Sequence, residues 1–220
     1  SGAKLLAIDA EGNLPEGGWE ALAAAKLITF GSPTYMGMAS WQFKKFADAS
    51  SKAWFTQQWK DKLAAGFTNS ATLNGDKFST IQYEFTLSQQ HGMLWVGTGM
   101  MPSNSKAATR DAINYVASSA GLMTATPSDA SADEMVAGDL ATAKVFGAAD
   151  PAVHQFDEQT QNYAQREPGT DRQTNDQRPV REGRIGRNRG IAQHNQASIG
   201  NIEPLSPSSV RKVTKICRAV

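Results

Sequence analysis

The stretch that decides the fold is TFGSPTYMGMASWQFKKFAD, residues 29–48. Its apolar start predicts the end of a buried strand, and the amphipathic residues from 40 to 49 predict a helix. Between them lies a hydroxyl-rich loop, residues 32–37, which Pro33 stiffens. In a parallel sheet such a loop lies at the carboxyl end of its strand, which is where ligands bind in open α/β folds.

Segments on either side extend the same pattern. Strands are predicted at residues 4–9, 26–30, 63–68 and 92–97, and helices at 17–25, 40–49, 77–90, 105–119 and 132–146, with a short helical or looped insert at 53–60. This alternation is typical of an α/β fold with a parallel sheet and helices on both faces. A second polar loop, residues 69–76, also follows a strand and should lie beside the first loop.

The bulk composition is typical of a globular chain, with 40% hydrophobic residues, 20% charged residues and a net charge of +1. No apolar run reaches the roughly 18 residues that a membrane span needs, and no signal peptide is visible. The single cysteine, Cys217, excludes an intramolecular disulfide and fits a reducing compartment. We therefore expect a cytoplasmic protein without membrane attachment.

Charge divides the chain into two parts. Residues 1–154 hold 11 Lys+Arg against 14 Asp+Glu, whereas residues 155–220 hold 11 against 7, and their basic residues are mostly arginine. The polar composition of residues 155–189 buries too little apolar surface to offset its ordering entropy. We predict a folded domain over residues 1–147 and a disordered Arg-rich tail over residues 148–220. The arginine run at 178–189 lacks aromatic residues, which argues against nucleic acid as a partner.

Both polar loops also have a purely structural interpretation. In the first loop, the Thr34 hydroxyl and the Tyr35 ring could hold a flat aromatic ligand, or Pro33 and Gly37 could simply set the geometry of a turn. In the second loop, small polar residues could line a cofactor, or Asp76 could cap the helix that follows.

The histidines and tryptophans allow similar alternatives. His91 could face a cofactor ring, or it could lie at a helix end that Gly92 terminates, where a histidine interacts favourably with the helix dipole. Trp54 is of a type found more often in cores and subunit contacts than in ligand platforms. His154 and His194 have no partners at metal-ligand spacing, so no metal site is predicted.

The order and spacing of these motifs over about residues 1–147 resemble the flavodoxin-like NAD(P)H:quinone oxidoreductases of the WrbA type. The resemblance is carried by residues 29–48, Trp54, and residues 62–64, 67–70 and 90–93. It implies a flavodoxin-like fold, bound FMN, and a homodimer or homotetramer. It also implies two-electron hydride transfer from NAD(P)H through FMN to quinones, with ping-pong kinetics.

The resemblance implies roles for individual residues. The loop beside the isoalloxazine ring and ribityl chain of FMN is matched by Pro33, Thr34 and Tyr35. The second FMN loop is matched by Asn69, Ser70, Ala71 and Thr72. A histidine near the flavin, typically across a subunit interface, is matched by His91, and the aromatic wall on which quinone or nicotinamide stacks is matched by Trp54. No residue is assigned a catalytic role, because the flavin carries the chemistry.

The sequence departs from the family at its start. A flavodoxin-like chain begins with a strand and a loop that wraps the FMN phosphate at a helix N-terminus, and neither precedes Ser1. If residues 4–9 form the family's second strand, the strands at 4–9 and 26–30 should flank an empty slot roughly 10 Å wide.

Three explanations of this departure are open. The sequence could be a fragment, another segment or chain could supply a strand, or the sheet could close up without a phosphate site. The alternative function is accordingly a non-catalytic flavodoxin-like remnant or interaction module that does not bind FMN.

Overall fold

A computed structural model describes residues 3–148. One sheet contains five strands: β1 Leu27–Tyr35, β2 Met38–Ala39, β3 Leu63–Ser70, β4 Leu94–Trp95 and β5 Leu122–Ala125. The α-helices are α1 Gly18–Ala24, α2 Trp41–Ala49, α3 Ser51–Phe55, α4 Lys77–Gln90 and α5 Ala137–Ala148. The strand order is β2-β1-β3-β4, and β5 also pairs with β3. Only β2 pairs in an antiparallel manner, so the predicted α/β class with a mainly parallel sheet is confirmed.

Side chains of the central strands alternate between two hydrophobic clusters, one on each face of the sheet. Ile28 and Ala64 belong to the first cluster, together with residues of α2. Ala65 and Phe67 belong to the second, together with residues of α5. Because β3 is covered on both faces, all of its residues except the last are buried.

The first polar loop is shorter than predicted. β1 continues through Pro33 to Tyr35, so residues 32–35 are strand rather than loop. The chain then turns at Met36 and Gly37, whose φ angles are 48° and 76°, and β2 returns with Met38 opposite Tyr35. Two-residue hairpin turns of this type need positive φ at both central residues, so the turn is set by residues 36 and 37 and not by Pro33.

Residues 4–9 do not form the predicted strand. Leu6 and Ile8 pack against the first cluster, but no strand among the described residues pairs with this segment. A turn ends it, with the Asp9 N–H donating to the Asn13 carbonyl at 2.9 Å. A strand needs a neighbour to satisfy its backbone groups. The prediction of two strands flanking an empty slot is therefore wrong, because only the second strand forms.

Residues 105–119, predicted as a helix, form turns instead. Asn114 and Ala117 have φ angles of 52° and 63°, which interrupt a right-handed helix. The Asn114 amide donates to the Met100 carbonyl at 3.1 Å and its oxygen accepts from the Ser118 N–H at 3.0 Å. Such local bonds compete with helix formation.

β4 and β5 pair with two parts of the same edge of β3. Leu94–Trp95 pairs with the first two residues of β3, and Leu122–Ala125 pairs with the last four. The chain between them returns where the Thr98 N–H donates to the Ser119 carbonyl at 2.9 Å. The strand predicted at residues 92–97 is thus only two residues long, and β5 was not predicted.

The remaining elements follow the predictions more closely. The helices predicted at 17–25, 40–49 and 77–90 form with nearly those bounds, and the last predicted helix begins at Ala137, after a short 3-10 turn. Apart from Ala148, which is the last residue of α5, the predicted tail lies outside the described residues. None of the helices within residues 3–148 combines the length and apolar character that crossing a membrane requires.

Glu84 places a carboxyl group in the interior between α4 and the sheet. It is 0% exposed, and neither of its oxygens makes a hydrogen bond of ordinary geometry, although the Ser32 N–H faces it. Its Oε2 lies against Gly66, where an added Cβ would overlap it. Burial raises the pKa of Glu84 well above its ordinary value of 4.5. The folded chain therefore favours the protonated acid.

Replacing Glu84 with glutamine should remove a pH-dependent cost. Because the pKa of Glu84 is higher in the folded chain, its contribution to stability is complete below about pH 4.5 and is lost as the pH rises through the folded value. From pH 5 to pH 8, the free energy of unfolding of E84Q relative to wild type should rise by about 1–3 kcal/mol. Urea titrations at each pH measure this difference. In the exposed control E20Q the difference should stay constant, and a flat difference for E84Q would contradict the assignment.

Candidate functional site

The carboxyl ends of three strands meet at one edge of the sheet. The strand register places Pro33 opposite Asn69 and Ala125 opposite Ser70. Because β1, β3 and β5 are parallel, the hairpin turn after β1 and the loop after β3 leave the sheet side by side. The structure therefore brings the two predicted loops together.

Thr34 anchors the end of β1 and does not present a free hydroxyl. Its Oγ1 lies 2.8 Å from Thr68 Oγ1 and 2.8 Å from Thr80 Oγ1, which joins β1, β3 and α4. Pro33, the preceding residue, lies within the strand. Tyr35 is 52% exposed and is the aromatic group that this strand end offers to solvent.

Asn69 is also an anchor. Its side chain is buried, and Oδ1 accepts hydrogen bonds from Thr124 Oγ1 at 2.9 Å and Thr126 Oγ1 at 3.1 Å. These bonds tie the carboxyl end of β3 to that of β5. This role of Asn69 could not be predicted from the sequence, because β5 itself was not predicted.

Ser70 carries a buried hydroxyl without a partner among the described residues. Gly75, with a φ of +51°, closes over it: an added Cβ there would overlap Ser70 Oγ and lie 3.0 Å from Thr72 Oγ1. Ala71 and Thr72 are exposed. A buried polar atom costs free energy unless something bonds to it, so a polar group that reached the Ser70 hydroxyl would remove this cost.

Lys77 lies behind the second loop and was not recognised as a site residue from the sequence. Its side chain is 1% exposed, and Nζ donates to the backbone carbonyls of Thr72, Leu73 and Asn74. Burial lowers the pKa of Lys77 to about 8. Lysine is rarely buried, so a lysine at the start of a predicted helix gave no signal of this position.

The structure agrees with the interpretation of the C-terminal end of α4 but not with that of its N-terminal end. Asp76 immediately precedes the helix, but it has a left-handed φ of 53° and its side chain makes no capping hydrogen bond, so the predicted cap is wrong. At the other end Gly92 has a φ of +68°, which suits the predicted termination.

An ion pair stabilises the carboxyl end of β5. Arg110 donates two hydrogen bonds to Asp139, at 2.8 and 2.6 Å, and Asp139 Oδ2 also accepts from the Ala125 N–H at 2.8 Å. The bond to Asp139 raises the pKa of Arg110 above its ordinary value. This bidentate pair fixes β5 against α5. In the sequence, Arg110 is distinguished by being the single arginine among residues 1–154.

His91 and Trp54 lie at the opposite edge of the sheet. α4 runs back from the carboxyl edge, and the Gly92 carbonyl accepts from the Asp61 N–H at 3.0 Å, just before β3 begins. Trp54, 44% exposed, is on α3, and Ser50, which immediately precedes that helix, places its Oγ 2.9 Å from His91 Nε2. Within one chain, neither His91 nor Trp54 lies near the two loops. Their roles at the flavin and the substrate stay predictions.

His91 is held in the interior by two contacts. It is 2% exposed, its Nε2 lies 2.9 Å from Ser50 Oγ, and its ring centre lies 4.2 Å from that of Trp59. Nδ1 is buried and has no partner among the described residues. Burial lowers the pKa of His91 below its ordinary value of 6.5, so the folded chain favours the neutral ring.

Acid should weaken the fold through His91. Because its pKa is lower in the folded chain, its contribution to stability is present above about pH 6.5 and declines as the pH falls through the folded value. We expect the urea midpoint of wild type to fall more between pH 7.5 and pH 5.5 than that of H91N, by up to about 1 kcal/mol in unfolding free energy. Asparagine keeps a polar partner for Ser50 without titrating. Equal pH dependence in the two proteins would show that His91 is not the titrating group.

Within residues 3–148, no group of three His, Cys, Asp or Glu side chains is arranged to hold a metal ion. His154 and His194 lie outside the described residues.

A mainly parallel sheet with helices on both faces, and with polar loops meeting at the carboxyl edge of its strands, defines an open α/β class of which flavodoxin-like proteins are one kind. Comparison with known proteins identifies the family within this class. No family model matches the chain. The flavodoxin FldP of Pseudomonas aeruginosa (strain UCBPP-PA14) is 51% identical over 146 residues, which are 66% of this chain and 79% of that protein. The chain therefore belongs to the flavodoxin-like family that includes the WrbA-type proteins, and the predicted resemblance is confirmed.

Two further matches are with an enzyme and a solved structure. An NAD(P)H dehydrogenase (quinone) of Geobacter sulfurreducens is 36% identical over 85 residues, 39% of this chain and 42% of that protein. The crystal structure of the flavodoxin, WrbA-like protein from Agrobacterium tumefaciens is 48% identical, with 68% of this chain and 82% of that chain covered and a TM-score of 0.48. The chain thus spans about two fifths of the length of the quinone dehydrogenase it matches.

Proposed function

We propose that the chain is a cytoplasmic, FMN-dependent NAD(P)H:quinone oxidoreductase that works as a homodimer or homotetramer. Membership of the flavodoxin-like family and the match to an NAD(P)H dehydrogenase (quinone) support the proposal. The observation that carries it is the buried, unpartnered Ser70 hydroxyl at the edge where the two strand ends meet. Bound FMN would supply electron transfer between nicotinamide and quinone, and the chain would supply binding and orientation.

The residues at the carboxyl edge divide into supports and contacts. Thr34 and Asn69 are supports, because the Thr34 hydroxyl and the Asn69 Oδ1 are already bonded to neighbouring elements. The groups left to contact the ring and its side chain are Pro33, Tyr35, Ser70, Ala71 and Thr72. Because Gly75 covers the Ser70 hydroxyl, a ligand would bond to it only if this part of the loop moves, and the bond would then remove the cost of leaving the hydroxyl unbonded.

The proposed substrate wall requires a second subunit. Trp54 is partly exposed and can stack on a ring that a neighbouring subunit holds. His91 is covered in its own chain, so it would contact such a ring only if the side chains that cover it move. Quinone and NAD(P)H would then bind in turn at a face completed by two chains.

A second candidate is a non-catalytic flavodoxin-like module that does not bind FMN. The observation that favours it is that the side-chain oxygens of Thr34 and Asn69, two residues matched to the FMN loops, are already bonded within the chain. This candidate predicts no saturable interaction with FMN.

Titration of FMN into the protein separates the two candidates. Saturable quenching of flavin fluorescence and retention of flavin colour after dialysis are expected. The loaded protein should then oxidise NADH or NADPH in the presence of benzoquinone, followed by absorbance. Failure of the wild type to bind FMN would favour the non-catalytic module.

Substitution of Ser70 by alanine tests the residue that carries the proposal. S70A should leave the stability of the ligand-free protein unchanged or slightly higher, because the lost hydroxyl has no partner. It should weaken FMN binding about fivefold to tenfold, the value of one hydrogen bond. The exposed Ser51→Ala change is the matched control and should alter neither. If S70A binds FMN as tightly as wild type, Ser70 is not a contact.

A further inference from the structure

Lys77 is a buried cation that has hydrogen-bond acceptors for its ammonium group but no ion-pair partner among the described residues. The ammonium has three protons, and the carbonyls of Thr72, Leu73 and Asn74 accept them. Within the part of the chain that the structure describes, no carboxylate lies at ion-pair distance from Nζ. Carbonyl dipoles offset only part of the cost of moving a full charge out of water.

The charged groups on neighbouring elements leave the ammonium uncompensated. Asp139 raises the pKa of Lys77 and Arg110 lowers it, but these two are paired with each other at 2.6 Å, so their effects largely oppose. Asp76 is adjacent in sequence, exposed, and makes no ion pair within the described residues. Burial is the largest cause, and it lowers the pKa of Lys77 to about 8, so the ammonium form dominates at pH 7.

The position of this charge coincides with the second loop. Nζ lies 3.3 Å from where a Cβ on Gly75 would be, and Gly75 is the residue that closes over the Ser70 hydroxyl. Substituting an apolar side chain for a buried ion that lacks a partner is often stabilising. Such a charge, kept behind a ligand loop, is available to a ligand that brings a negative charge.

We propose that Lys77 is a positioning residue that supplies a fixed positive charge behind the second loop and so makes this edge favour a ligand with more negative charge. The inference rests on the proposed function, in which the ligand is FMN. Bound FMN that took up two electrons and one proton would carry one more negative charge on its ring than oxidised FMN. A cation in a region of low dielectric therefore binds the electron-rich form more tightly than the oxidised form and makes the loaded protein easier to reduce.

The decisive variants remove the charge. K77Q keeps an N–H donor for the loop carbonyls, and K77M removes both charge and donor. Each should leave the dissociation constant for oxidised FMN within about threefold of wild type while weakening the two-electron-reduced form about tenfold or more. The midpoint potential of bound FMN, measured by spectroelectrochemistry, should shift to more negative values by the amount that this ratio dictates. The exposed control Lys106→Met should change neither quantity.

Measurements on the ligand-free protein test the charge itself. Because the pKa of Lys77 is lower in the folded chain than the ordinary 10.5, the stability of wild type should rise between pH 8 and pH 10.5. K77M should be more stable than wild type at pH 7, and the difference should shrink over that interval. The Lys77 Cε signal in carbon-detected NMR should titrate near pH 8. A midpoint at the ordinary lysine value, or a K77M protein less stable than wild type at pH 7, would overturn the inference.

The remaining outcomes are distinct. If K77Q and K77M bind both forms of FMN with the wild-type ratio, the inference fails and the proposed function stands. If wild type does not bind FMN, the proposed function fails and the inferred ligand preference fails with it. If K77M does not fold, K77Q and the titration of the wild-type lysine decide the question.

Discussion

The parallel ladder between β1 and β3 is the constraint on which the carboxyl edge depends. Seven consecutive pairs, from Leu27 opposite Leu63 to Pro33 opposite Asn69, fix where both strands leave the sheet. A slip of one residue would exchange the two faces of β1 and move the Thr34 hydroxyl away from β3 and α4. The ladder also depends on Gly31, because a Cβ there would overlap the Phe67 ring of the neighbouring strand. The two loops at the carboxyl edge are thus placed by backbone pairing and by one glycine, not by the loops themselves.

Three polar residues with an uncompensated buried group lie on α4 or in the strand that leads to it. Lys77 and Glu84 are both on α4, two turns apart, and Ser70 lies in the strand that leads to it. Ser70 and Glu84 have buried oxygen atoms without a hydrogen-bond partner, and Lys77 has hydrogen bonds but no ion-pair partner among the described residues, so each departs from the rule that buried polar and charged groups are paired. Such violations are expected where function, not stability, decides the residue. By contrast, Arg110 and Asp139 pair well and simply hold β5 in place.

The sequence predicts elements whose signals are local and misses those that depend on a distant partner. The helix predicted at about residues 77–90 forms with those bounds, and Gly92, a local signal for a helix end, follows it. The apolar run at 4–9 has the composition of a strand, but strand formation depends on a neighbour that composition does not reveal. β5 is missed because four residues carry little periodicity. For the site, the resemblance identifies both loops, whereas the burial of Lys77 is a consequence of tertiary packing alone.

The residues that the resemblance groups into one site cannot act on one ligand within one chain. Thr34 and Ser70 are at the carboxyl edge, and His91 and Trp54 are at the amino edge, where the Gly92 carbonyl meets Asp61. β3 is eight residues long, so the two groups are separated by roughly 25 Å, more than twice the length of a three-ring heterocycle. A ring could contact both groups only if a second chain turned its amino edge toward this carboxyl edge. Oligomer formation and quinone reduction are therefore one proposal in physical terms: a chain that stays a monomer would hold a ring with its substrate face open to water.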